Sequence, residues 1–235
     1  MWAAGIEPVA PFPIKGVLWY QGESNAETDE RVMQHDTLFP MLVHSVRGLW
    51  EQADLPLLFV QLPALKREAW PLFRDRQRRL AAQLPGVEMA VTIDTGHPTD
   101  VHPHTKRPVG ERLAQLALSR VYQHAGAQPD SGPGLQAAER EDSAVVVRFA
   151  NVGDGLKTVD GKPVRHFEVC GDDNEYFPAV AQVTGKNTLR VTCAEVNHPA
   201  AIRYAWIPFP EPPVNLTGSS GLPASPFMSN LADGQ

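Results

Sequence analysis

Positive charge is in short supply in this 235-residue sequence: 21 Lys and Arg stand against 27 Asp and Glu, for a formal net charge of −6. That balance argues against nucleic acid or an anionic membrane surface as a main partner. No apolar run is long enough to cross a bilayer. The opening Met1-Trp2-Ala3-Ala4-Gly5 has neither the basic nor the apolar region of a secretory signal. On this reading an exported form would take its signal from elsewhere, and localisation is left open. Cysteine is scarce, with Cys170 and Cys193 alone. Each closes a strand-like run, so one disulfide and two free thiols are both open readings. Neither has the spacing of a zinc ligand, and there is no internal repeat.

What is present suits a folded core. The hydrophobic fraction of 43% is ordinary for a globular chain, and the length allows one large or two modest domains. The 22 prolines gather at segment ends and in the tail, which reads as fixed turns.

Along the chain, residues 17–20 form an apolar run that reads as a buried strand. It ends in a small polar cluster, Gln21-Gly22-Glu23-Ser24-Asn25. A helix is expected over 27–50, capped by Ser24 or Asn25 on the plainest reading, with Pro40 bending or breaking it. Residues 55–62 read as a second buried strand. The helix expected over 70–84 carries Arg74, Arg76, Arg78 and Arg79, most of them expected on a solvated face. A third strand over 87–93 ends in Asp94-Thr95-Gly96-His97-Pro98-Thr99-Asp100-Val101-His102-Pro103-His104, and a helix follows over 106–124. Alternating strand and helix implies a parallel sheet with crossover helices. After a Pro/Gly linker near 128–134 come short strand-like runs at 144–149, 166–169, 179–183, 188–193 and 201–205, read as a small antiparallel β domain. The tail from Pro208 is expected along the surface. The expected fold is therefore α/β, a partial parallel sheet with flanking helices over 1–127, followed by an antiparallel β domain over 128–235.

In a parallel sheet the turns at 21–25 and 94–104 share one edge, where α/β sheets place reactive groups. Asp100 and His102 are one residue apart, and Asp94 and His97 are two apart. A carboxylate beside an imidazole fixes its tautomer, and the imidazole can then take a proton from a hydroxyl. Ser24 is the hydroxyl on that edge. The Gln21 amide and the Gly22 N–H are candidate oxyanion donors. His97, His102, His104, Asp94 and Asp100 match no metal-ligand spacing, so no metal or other cofactor is expected. His97 and His104 read as surface histidines. A glycosidase pair, Glu23 and Asp94, is a further reading of the carboxylates.

Trp19-Tyr20-Gln21-Gly22-Glu23-Ser24-Asn25-Ala26 and Asp100-Val101-His102-Pro103 resemble conserved blocks of the sialate O-acetylesterases, within the SGNH (GDSL-like) esterases. The likeness extends to Leu58-Phe59-Val60-Gln61-Leu62, Lys106-Arg107-Pro108-Val109-Gly110-Glu111-Arg112-Leu113 and Gly221-Leu222-Pro223-Ala224-Ser225-Pro226-Phe227. The resemblance implies a Ser/His/Asp esterase acting on acetylated sugars. His102 would be the base and Asp100 the orienter, with Asp94 as the alternative. Gln21, Gly22, Glu23 and Asn25 would line the oxyanion and substrate site, supported by Arg74 and Gln77. The family's early Gly-Gln-Ser-Asn nucleophile block is absent, so the chain reads as a C-terminal part of a family member. Ser24 stands in as nucleophile by position and chemistry. Two other readings stay open. One is an inactive fragment whose exposed sheet edge recruits a second copy. The other is a carbohydrate-binding protein stacking sugars on Tyr176, Tyr204 and Trp206.

Overall fold

Three strands, β1 (Val17–Trp19), β2 (Leu57–Val60) and β3 (Val87–Ala90), pair in parallel in the order β1-β2-β3. The computed structural model describes residues 2–125 and 129–231. Every residue of β2 is buried, as its unbroken apolar run requires in a sheet covered on both faces. β1 departs from expectation. Leu18 is 61% exposed, because among the described residues no strand pairs with the outer edge of β1.

Helix α1 (Asp29–Leu49) follows β1, and Pro40 lies inside it without ending it. The proline removes one backbone donor, but Val32, Phe39, Val43 and Val46 bury one face of the helix against the sheet and α2 (Trp70–Gln83). The cap is Thr28 and not Ser24 or Asn25: its Oγ1 accepts from the Arg31 N–H at 3.3 Å, and Asp29 and Glu30 complement the helix dipole. Ser24 and Asn25 belong instead to a tight turn, Glu23–Ala26, between strand and helix.

The arginines of α2 are less solvated than expected. Arg74 is fully buried. Arg78 and Arg79 both pair with the buried Asp75, and Arg76 pairs with Asp36 at 2.7 Å. After β3 comes α3 (Arg107–Leu116), which runs into one wider helical turn, Ala117–Val121.

The second half is antiparallel: β4 (Gly134–Glu141), β5 (Ala144–Ala150), β6 (Lys157–Thr158), β7 (Val164–Cys170), β8 (Tyr176–Gly185), β9 (Thr188–Thr192), β10 (Ala201–Tyr204), β11 (Leu216–Thr217) and β12 (Phe227–Asn230). Seven of these form one sheet in the order β12-β10-β7-β8-β9-β5-β4, and β6 pairs with β11. The molecule therefore joins an α/β layer to an antiparallel β sheet. The boundary expected between 127 and 128 lies outside the described residues. The tail does not lie on the surface as expected. Leu216, Ala224 and Phe227 are buried in the β core, because β12 closes the sheet against β10. Cys170 and Cys193 are both free thiols.

Candidate functional site

The site is built where the three parallel strands end. Gly22 follows β1 with φ 152°, and its carbonyl accepts the N–H groups of Asn25 and Ala26 at 3.0 Å each. The turn is pinned from below: a Cβ on Gly22 would meet the Phe73 ring at 2.6 Å. Ala26, Leu62, Leu65, Trp70 and Phe73 form one apolar cluster, and Val101 packs against it from the loop after β3. One small core thus holds both the turn that carries Ser24 and the loop that carries His102. Because β2 lies between β1 and β3, the two segments leave the sheet two strand spacings apart, roughly 10 Å.

Within the turn, the expected oxyanion donors are engaged. The Gly22 N–H donates to the Glu23 carboxylate at 2.9 Å, and the Gln21 amide donates to Asn25 Oδ1 at 2.7 Å. Ser24 is exposed, and its carbonyl accepts from Arg31. Its hydroxyl bonds no described residue. Tyr20, at the base of the turn, has a buried hydroxyl without a partner. Burial, and then the Glu23 charge, push its pKa up to about 12. The Lys106 ammonium stands 4.7 Å over its ring.

The loop after β3 separates the acids. Asp94 makes two 2.6 Å bonds to Arg112 of α3, which removes it from the neighbourhood of a free orienter or glycosidase acid. Asp100 Oδ1 accepts the backbone N–H of His102 at 2.9 Å, and Oδ2 lies 3.1 Å from His104 Nε2. These bonds, the His102 N–H first, hold the Asp100 carboxyl below its usual range. Asp100 therefore fixes the backbone of His102, while the exposed His102 ring bonds no described residue. His97 and His104 are not idle surface groups: their rings stack 5.9 Å apart, and His97 Nδ1 accepts backbone N–H groups. Among the described residues no group of three or more His, Cys, Asp or Glu is arranged to hold a metal ion.

Arg74 lies away from the turn's surface. Its guanidinium donates to the carbonyls of Ile207 and Pro208, tying the β half to α2. Burial pushes its pKa down to about 9. Gln77 supports the edge from inside, accepting the Leu62 N–H at 2.9 Å and donating to the Val60 carbonyl. Of the aromatic residues considered for sugar stacking, Tyr204 is buried in the core and Tyr176 lies under the Arg203 guanidinium at 3.8 Å. Trp206 alone is partly exposed without such a cover.

Sequence reasoning missed His35. It lies buried under the site, its ring 4.4 Å from Phe73, with Nε2 unpartnered. Its only signal was a place on the apolar face of α1. Burial pushes its pKa down to about 4, against roughly 6.5 when unfolded. The unfolded chain then binds the extra proton first, so stability is complete above pH 6.5 and is lost as pH falls toward 4. Urea titrations at pH 8 and pH 5 are expected to differ by about 2 kcal/mol from this residue. His35→Phe should shrink the difference by that amount. An unchanged difference would show that His35 does not carry it.

Residues 4–119 match the family of carbohydrate esterases described as sialic acid-specific acetylesterases. A mouse sialate O-acetylesterase is 29% identical over 99% of this chain and 47% of its own length, and the human protein is 24% identical over 99% and 49%. The structure of a carbohydrate acetylesterase from Xanthomonas citri superposes with a TM-score of 0.89 at 36% identity, over 95% of this chain and 52% of that one. The chain spans about half the length of the relatives it matches. Residues 4–119 thus match the sialic acid-specific acetylesterase family of carbohydrate esterases, and nearly the whole chain is similar to sialate O-acetylesterases and to a carbohydrate acetylesterase.

Proposed function

We propose that the chain is a carboxylic ester hydrolase that removes acetyl or other short acyl groups from acylated sugars. The supporting observation is the shared seat of the Ser24 turn and the His102 loop on one apolar cluster at one sheet edge, with both reactive side chains free of other bonds. The names of the relatives support acetylated sugar as the substrate class. In the proposed reaction the Ser24 hydroxyl attacks the ester carbonyl and His102 takes its proton. His102 then returns the proton to the departing sugar oxygen, and water hydrolyses the acyl-serine by the same path. Asp100 holds His102 through its backbone. For the Gly22 N–H to reach the oxyanion, Glu23 must release it, so substrate entry rearranges this one bond.

A serine-directed fluorophosphonate followed by peptide mass mapping tests this. The expected result is a single adduct on Ser24 that is absent from His102→Ala. No adduct, or an adduct on another serine, would overturn the assignment.

One observation favours a second reading. The Gly22 N–H is already taken by Glu23, and one of the two Gln21 amide N–H groups by Asn25, which suits a protein that binds carbohydrate without turning it over. Binding of an acetylated sugar by calorimetry, together with no phosphonate adduct and no release of acetate, would select that reading.

A further inference from the structure

The loop that carries His102 has a base held by backbone pairing and a tip held by side chains, with Val101 seated on the apolar cluster. At the base, Ala64 and Gly96 extend the parallel pairing beyond the strands. The Ala64 N–H bonds the Thr95 carbonyl at 2.9 Å, and the His97 N–H returns to the Ala64 carbonyl at 3.2 Å. The Lys66 N–H closes the staple on the Pro98 carbonyl at 3.1 Å. Gly96, at φ 123°, is required there because a Cβ would run into the Ala64 carbonyl. Beyond Pro98 no such pairing continues. The tip is held by side chains, and His97 reaches from the base to it. Its Nδ1 accepts the Asp100 N–H at 2.9 Å and the Thr99 N–H at 3.3 Å. Asp100, fixed in this way, presents Oδ1 to the His102 N–H.

We propose that His97 is a positioning residue for His102: its imidazole, unprotonated at Nδ1, latches the 99–102 tip to the base of the loop. The role in turnover rests on the ester-hydrolase reading, whereas the latch itself does not. Nδ1 with a lone pair accepts two N–H groups, and Nδ1 with a proton would face them as a third donor. The groups that face His97 are the Thr99 hydroxyl at 3.4 Å, the Asp100 backbone, and the His104 ring, which also bonds the Asp100 carboxylate. From the segment after β2 the charged neighbour is Lys66, whose ammonium is paired with Glu211 at 3.2 Å.

The test uses His97→Asn and His97→Ala. The Asn Oδ1 lies one bond beyond Cγ, as the His Nδ1 does, so it can accept the same N–H groups but does not titrate near neutrality. Nitrogen-15 spectra of the imidazoles and amide exchange of Thr99 and Asp100 are read first. In the wild-type protein His97 is expected as the Nε2–H tautomer, with the two amides protected. In His97→Ala those amides should exchange about tenfold faster at neutral pH, the factor for one lost hydrogen bond. In His97→Asn protection should persist. With a short-chain acyl ester, His97→Ala should lower kcat with little change in KM, and His97→Asn should restore it. A protonated Nδ1 in the native protein, or unchanged amide exchange in His97→Ala, overturns the latch. A confirmed latch with no turnover in any form would instead sink the hydrolase reading and leave the latch standing.

Discussion

His102→Ala is expected to lower kcat/KM for a short-chain acyl ester by about a thousandfold, and Ser24→Ala by a similar factor. The double variant should be no worse than either single one, because a nucleophile without its base and a base without its nucleophile are equally disabled. This non-additivity is the sharp part of the prediction. The Ser24 hydroxyl and the His102 ring bond none of the described residues, and they lie on segments that leave strands separated by β2. If they act as a unit, substrate must bring them together, as catalytic bonds often tighten only in the substrate complex. Steady-state kinetics on the three variants would decide it. Additive losses would mean that the two residues work separately. Full activity of Ser24→Ala would remove Ser24 from the reaction and leave His102 serving another nucleophile.

The parts of the fold that depend on local pattern were legible. Residues 57–60 form an apolar run long enough for a buried strand, and alternation with helices made the sheet parallel. What depends on distant partners was not. The run at 17–19 looks as apolar as β2, yet Leu18 faces solvent, because a run of apolar residues does not say whether a neighbour covers it. Arg74 was expected to support the pocket edge, and the sequence could not show that its guanidinium is received by the carbonyls of Ile207 and Pro208. β4, rich in Ala, Glu and Gln, has little intrinsic strand preference and takes its form from pairing with β5.

The site divides in the same way. Ser24 and His102 were singled out because strand ends in a parallel sheet share one edge. The partner of each carboxylate was beyond reach: Asp94 stood as the alternative to Asp100, and only the fold turns Arg112 onto it. Chain spacing brought Asp100 close to His102 but could not say that it bonds the backbone and leaves the ring free.

Gly22→Ala is expected to cost about 2–6 kcal/mol of stability and to displace the Ser24 turn, and two separable causes contribute. The backbone at φ 152° is one that residues with a Cβ rarely adopt, a strain of about 1–3 kcal/mol. The new methyl would also lie 2.6 Å and 2.9 Å from two atoms of the Phe73 ring, an overpacking of about 1–3 kcal/mol. Phe73 cannot turn aside freely, since it is fully buried and packed on His35 at 4.4 Å. A thermodynamic cycle with Phe73→Leu separates the two terms. The smaller side chain should relieve the clash but not the backbone strain, so the double variant should be more stable than the sum of the single losses predicts, yet still short of Phe73→Leu alone. Denaturant unfolding of the four proteins supplies the cycle. If Gly22→Ala unfolds within about 0.5 kcal/mol of the wild-type protein, the range for an unremarkable surface change, then the turn is not held against Phe73. The common seat of Ser24 and His102 on that cluster would go with it.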